Sequence, residues 1–207
     1  MDNSSFKKIL QGYLDFRNKY ATGDNSVMQH LAYHGQQPEI MIVACCDARV
    51  DPALILQCEP GDLFIVRNVA NIVPPYEADE GHHGTSAALE FGICYLNIKH
   101  LIILGHSQCG GIHALLNSDN LKQNDFISRW VSQIETDDVH KDVDSCARQA
   151  LTISYENCLT FPWIRDLIQQ DQLEIHRWFF DIKEGEIYAY SSETGQYQRL
   201  TTQRSLT

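Results

Sequence analysis

Cys45-Cys46-Asp47-Ala48-Arg49 closes one apolar run of this chain, and His106-Ser107-Gln108-Cys109-Gly110-Gly111 closes another. Thiolate sulfur and imidazole nitrogen are the donors that zinc favours, so Cys45, His106 and Cys109 make a three-ligand set. Structural zinc sites fill all four positions with protein, whereas catalytic ones leave one for solvent or substrate. Cys46 is no ready fourth ligand, because adjacent residues of an extended chain point to opposite faces. Asp47 and Arg49 travel on the same segment as Cys45 and bring an acid and a base partner to the ion. A guanidinium fork holds a carboxylate beside a metal rather than on it, and keeps that carboxylate ionised. Either segment alone is a modest signal; together, each capping a buried run, they are specific.

Elements that bring the two segments together are legible around them. Residues 39–45 and 100–105 read as strands buried on both faces, as parallel strands are. Residues 62–69 form a third strand after the Pro60-Gly61 turn. Helices are predicted after Pro52 (53–58), over 85–97, from 111 to 116 and over 142–159. Strands alternating with helices indicate an α/β fold with a mainly parallel central sheet flanked by helices. Two further strands, 174–182 and 186–191, add an antiparallel edge. In such sheets ligands gather at the carboxyl ends of strands, where Cys45 and His106 both stand. Gly105, Gly110 and Gly111 are assigned to tight turns beside the ligand loop. Phe6, Ile9, Leu10, Tyr13, Leu14 and Tyr20 recur at helical spacing and predict an N-terminal helical arm, packed on its own sheet or on a partner subunit.

The chain has 207 residues, a formal net charge of −11 and seven cysteines. One domain over 1–207, with residues 1–35 as its arm, suits that length. The acidic surface disfavours nucleic acid and anionic lipid as partners. No run is long and apolar enough to span a membrane, and the first twenty residues lack a signal peptide's pattern, so a cytoplasmic protein is expected. An odd number of irregularly spaced cysteines argues against a disulfide scaffold. Cys58, Cys94, Cys146 and Cys158 read as plain buried small residues.

The two motifs, Cys-x-Asp-x-Arg and His-x-x-Cys, make the chain similar to the β-class carbonic anhydrases. The resemblance extends through Glu59-Pro60-Gly61-Asp62-Leu63-Phe64, Arg67-Asn68-Val69-Ala70-Asn71, Val73-Pro74-Pro75-Tyr76, Gly84-Thr85-Ser86-Ala87-Ala88-Leu89-Glu90 and Asn157-Cys158-Leu159-Thr160-Phe161-Pro162. It implies a zinc enzyme that reversibly hydrates carbon dioxide to bicarbonate and a proton by attack of zinc-bound hydroxide. Cys45, His106 and Cys109 are then the metal ligands, Asp47 accepts a hydrogen bond from the hydroxide, and Arg49 pairs with Asp47. The family's substrate pocket maps to Gln36, Phe64, Val69, Phe91 and Gly110, with Phe91 replacing the tyrosine of plant-like members. Ile42 stands where self-regulating members carry a tryptophan, which implies the open form of the metal site. Homodimers or higher multiples of dimers are implied as well.

Carbonic anhydrases with three histidine ligands are the standard case of zinc acidifying its water. Two thiolates give the ion more negative charge, so activity is expected to rise toward alkaline pH. His82 and His83 are candidate proton shuttles because imidazole titrates in the right range. A hydrolase of carbonyl sulfide or carbon disulfide would use the same metal chemistry and differ in pocket width. A redox-sensing protein using Cys45-Cys46 leaves the Asp47–Arg49 pair unexplained. A cysteine phosphatase would need arginine where Asp51 stands.

Overall fold

The computed structural model describes residues 4–79, 81–117, 122, 125–134 and 142–201. Its elements run in the order α1 (Ser4–Tyr20), α2 (Val27–His34), β1 (Ile40–Cys45), α3 (Pro52–Ile55), β2 (Leu63–Asn68), α4 (Gly84–Glu90), β3 (His100–His106), α5 (Gly110–Leu116), α6 (Phe126–Val131), α7 (Val143–Cys158), α8 (Pro162–Gln169), β4 (Glu174–Asp181), β5 (Glu186–Ser191) and β6 (Gln196–Arg199). The strands form one sheet in the order β2-β1-β3-β4-β5-β6. The first four are parallel, while β5 and β6 add antiparallel pairs at one edge.

β1 and β3 lie at the centre and are almost wholly buried, as their unbroken apolar runs require. The connection from β1 leads outward to β2 and that from β3 leads outward to β4, so the sheet changes direction between the two central strands. Such a switch opens a crevice at their carboxyl ends. α7 closes one side: Asp142 caps it by accepting from the Asp144 and Ser145 amides, and Cys146, Ala147, Ala150, Leu151, Ser154 and Cys158 make its buried face. Leu151 lies so close to β3 that a Cβ on Gly105 would meet its side chain at 3.1 Å.

Several expectations need correction. β4 joins the parallel part of the sheet beside β3, and the antiparallel edge gains a further strand, because Gln196–Arg199 pairs with β5 despite having no apolar run. α2 and α6 were not expected; α2 is set by Ser26, whose hydroxyl accepts from the Gln29 amide. The helix predicted over 85–97 ends at Glu90 and widens into a π turn over Phe91–Tyr95. The helix after Pro52 stops at Ile55, and Gln57 adopts a left-handed φ of 53°. Cys94 is exposed and Cys58 half-buried, whereas Cys146 and Cys158 are buried. No side chain of α1 is buried, so it stands off its own sheet as an arm.

Candidate metal centre

Cys45 is the last residue of β1, and Asn68, its neighbour in register, is the last of β2. His106 ends β3 beside them, and Cys109 occupies the N-cap position of α5. The intervening turn is made by Gln108 at φ 53°, not by glycine. Its backbone amide donates to Asp144 Oδ1 at 2.7 Å, which fastens the turn to the start of α7. Of the three glycines assigned to tight turns, none has a positive φ. Gly111 is needed for space: a Cβ there would sit 2.7 Å from Val69 Cγ1 and 2.9 Å from Ala70 Cβ.

The fold brings Cys45, His106 and Cys109 together, all buried, with their donor atoms within 4.8 Å of one another. Cys45 Sγ and Cys109 Sγ are 3.9 Å apart. Tetrahedral zinc with sulfur ligands at about 2.3 Å would hold them about 3.8 Å apart. His106 Nδ1 donates to the Ser107 carbonyl at 2.9 Å, which leaves Nε2 as the nitrogen with a free lone pair. That Nε2 is buried without a hydrogen-bond partner, a costly arrangement that a cation would satisfy. Ser107 is itself held on β4, its amide donating to the Phe180 carbonyl and its hydroxyl accepting from the Ile182 amide.

Charge in the site points the same way. A hydrogen bond from Cys109 pulls the Cys45 thiol well below its ordinary range, against the opposing effect of burial. Cys109 is pushed up, first by its bond to Cys45 and then by burial. Two adjacent thiolates repel, and a divalent cation between them removes the conflict. The donor set, its spacing and the orphaned imidazole nitrogen therefore fit zinc.

Asp47 and Arg49 form a forked pair beside this set. Arg49 Nε donates to Asp47 Oδ1 at 2.9 Å and Nη2 donates to Oδ2 at 2.6 Å, while the Arg49 amide also donates to Oδ1. These bonds, led by the guanidinium, hold the Asp47 carboxyl well below the usual carboxylate range. Asp47 Oδ2 lies 4.0 Å from His106 Nε2, so one carboxylate oxygen faces the ligand atoms. Arg49 Nη2 also reaches the Gln108 carbonyl at 3.1 Å, tying the first ligand loop to the second.

Arg67 is the functional residue that sequence reasoning did not single out. Its Nε donates to the Cys45 carbonyl, its Nη2 to the Asp47 carbonyl and its Nη1 to Asp51 Oδ2, at 2.8, 2.7 and 2.8 Å. One guanidinium on β2 thus braces the whole Cys45–Asp51 loop. Behind it, Asn68 clamps Ile72 through both side-chain atoms across Ala70 and Asn71, which have left-handed φ values of 63° and 47°. That bend carries Val69 to the side of α5, where Trp130 Nε1 donates to its carbonyl at 2.7 Å.

The five expected pocket residues divide into two groups. Val69 and Gly110 flank the metal loops. Phe64 pairs in register with Met41, four residues before the level of Cys45, or about 13 Å along the sheet. Phe91 stacks between Phe64 and Tyr95, with ring centroids 5.9 and 5.8 Å away, and is exposed. Gln36 precedes β1 and opens to solvent at the same far end. One chain therefore does not bring Gln36, Phe64 and Phe91 to its own metal loops. His83 is tied to Asp79, Nε2 to Oδ1 at 2.6 Å, and His82 is exposed. Cys46 is exposed and outside the ligand cluster.

Known proteins match this arrangement closely. Residues 40–187 match the family described as carbonic anhydrase. A carbonic anhydrase of Synechocystis sp. is 33% identical over 199 residues, covering 89% of this chain and 70% of that protein. The chloroplastic β-carbonic anhydrase 5 of Arabidopsis thaliana is 35% identical, covering 85% of this chain and 62% of its own length. Among solved structures, the β-carbonic anhydrase CcaA aligns with a TM-score of 0.83 at 31% identity, over 97% of this chain and 94% of that one. A tetrameric β-carbonic anhydrase of the ascomycete Sordaria macrospora aligns with a TM-score of 0.76 at 29% identity, over 90% and 96% of the two chains. With the match running through the strands whose ends carry the cysteine and histidine cluster, the chain belongs to the β-class carbonic anhydrases.

Proposed function

We propose that this carbonic anhydrase interconverts carbon dioxide and bicarbonate at a zinc ion held by Cys45, His106 and Cys109, with Asp47 directing the attacking water. The family reaction is hydration of CO2, and zinc dependence is general to it. Carrying the reading is the buried, unpartnered His106 Nε2 beside two sulfurs at zinc-like separation. Zinc, when bound there, supplies a Lewis acid that makes a coordinated water nucleophilic near neutral pH.

This chain's residues supply the rest. Asp47 is ionised and can only accept, and its Oδ2 keeps lone-pair capacity beyond the single Arg49 contact. It therefore selects an oxygen that carries a proton and turns that oxygen's remaining lone pair away from itself, toward substrate. Arg49 positions the carboxylate and, through the Gln108 carbonyl, keeps the two ligand loops in fixed relation. Val69 supplies an apolar wall for a small apolar substrate.

Gln36, Phe64 and Phe91 can line a metal centre only from a second copy, whose far end meets these loops. The exposed apolar stripe Phe6, Ile9, Leu10, Tyr13 and Leu14 supports a homodimer or multiple of dimers. Among the described residues nearly all buried apolar side chains join one core cluster, which supports a single domain with residues 1–35 as its arm. Two thiols 3.9 Å apart would oxidise readily elsewhere, so a reducing compartment such as the cytoplasm suits the site. Among the described residues no helix is long and apolar enough to cross a membrane.

Zinc content and CO2 hydration measured on the same samples test the reading. Cys45→Ala and His106→Ala are expected to lose both, while Asp47→Ala keeps zinc and loses turnover. A Cys45→Ala protein with stoichiometric zinc and parental turnover would overturn the assignment.

A further inference from the structure

A second cluster of metal-type donors lies at the opposite end of β3. His100 and Glu174 open β3 and β4 and are neighbours in register, and His176 follows Glu174 by two residues. Residues two apart on a strand share a face, so all three side chains project from one side of the sheet. His100 Nδ1 and His176 Nε2 are 3.2 Å apart, and each is 3.5 Å from Glu174 Oε2. A triangle with sides of 3.2, 3.5 and 3.5 Å has its centre about 2.0 Å from each atom, the bond length of zinc to nitrogen or oxygen.

We propose that His100, His176 and Glu174 form a second site for a borderline divalent cation of the zinc class, separate from the Cys45–His106–Cys109 centre. Two imidazoles and one carboxylate suit zinc, cobalt or nickel better than calcium or magnesium, which want more oxygen ligands. The rings are tilted by 38° with centroids 5.3 Å apart, so they do not stack, and their facing nitrogens share a hydrogen bond that a cation would replace. Glu174 is exposed and His100 half-exposed, and both border an open cavity of about 860 Å³ through which an ion and its waters can enter. Nearby, Lys99 is paired with Glu39, so its ammonium is already engaged. His106 lies six residue steps along β3 from His100, which puts the two sites about 20 Å apart. A cation here would clamp the leading ends of β3 and β4 without touching the chemistry at their trailing ends.

Cobalt titration of the enzyme already loaded with one zinc per chain tests this. Cobalt on the cysteine centre would show intense thiolate-to-metal absorption, whereas cobalt on two imidazoles and a carboxylate would not. One further equivalent is expected to bind without that band, about 10-fold or more weakly in His176→Asn and in Glu174→Gln, with CO2 hydration unchanged in both. Glu174→Gln alters an exposed side chain, so it remains informative if His176→Asn fails to fold. His83→Ala serves as the control for the other exposed cluster, Glu77, Asp79 and His83, and should leave the uptake intact. The proposal is overturned if zinc-loaded protein takes up no further equivalent in tenfold cobalt excess. Uptake unchanged in Glu174→Gln, or abolished by His83→Ala, overturns it equally. Because the cysteine centre is read by its own absorption band, failure of either site is seen separately.

Discussion

Replacing Arg67 by methionine should weaken both the fold and the grip on zinc, although Arg67 touches no ligand side chain. Methionine fills much of the same volume but removes three hydrogen bonds, to the Cys45 carbonyl, the Asp47 carbonyl and Asp51 Oδ2. A hydrogen bond from a charged donor contributes about 1.5–3 kcal/mol when buried. The Arg67 side chain is 27% exposed and that of Asp51 38%, so water replaces part of each bond and the ion pair counts for less than about 1 kcal/mol. The net cost is then about 3 kcal/mol, carried mainly by the two carbonyls. Lysine, with its point charge and no fork, should recover only about 1 kcal/mol of this. Loosening the backbone of Cys45 and Asp47 should lower zinc affinity about 10- to 100-fold. Urea unfolding at matched protomer concentration reads the first quantity, and competition with a chelator reads the second. An Arg67→Met protein within about 0.5 kcal/mol of the parent, and equally resistant to the chelator, would refute the bracing role.

Gly111→Ala should destabilise by about 1–3 kcal/mol, because its Cβ would overlap Val69 and lie 3.3 Å from the Ala70 backbone nitrogen. Gly110→Ala meets nothing within 4 Å and should be near neutral; equal unfolding midpoints for the two variants would contradict the packing argument. Asp79→Asn should return the His83 pKa, which the Asp79 hydrogen bond raises, toward 6.5 in an NMR titration. Because the folded value is raised, the pair's contribution to stability is full below the unfolded value and lost as pH rises through the folded one. An unchanged His83 titration in Asp79→Asn would remove that pair from the account.

Some features were legible because a single physical demand governs them. Residues 40–45 and 101–105 are apolar throughout, which only a strand buried on both faces explains at that length. Zinc's preference for sulfur and imidazole made the ligand types readable, and the strand ends made their convergence readable. Gln196–Arg199 lacks that signal, since it gains its order from pairing with β5 rather than from burying apolar side chains. Arg67 was read only as part of the Arg67–Asn71 segment because its bracing role depends on register: β2 must run beside β1 before its guanidinium can reach the carbonyls of the next loop. The pocket residues mark another boundary of what the sequence carries. Gln36, Phe64 and Phe91 have suitable side chains, but residue type carries no information about which end of the sheet they occupy.

The N-terminal helix extends this dependence on neighbours to the backbone itself. Ser4–Tyr20 is 17 residues long, has no buried residue, and touches the rest of its chain near its end, where Lys19 pairs with Glu59. Isolated helices of that length are marginal in water, because nucleation costs more than a few turns return. Quaternary contact would thus act as this segment's folding template, and circular dichroism on progressive dilution would register subunit separation as lost ellipticity while the sheet stays intact.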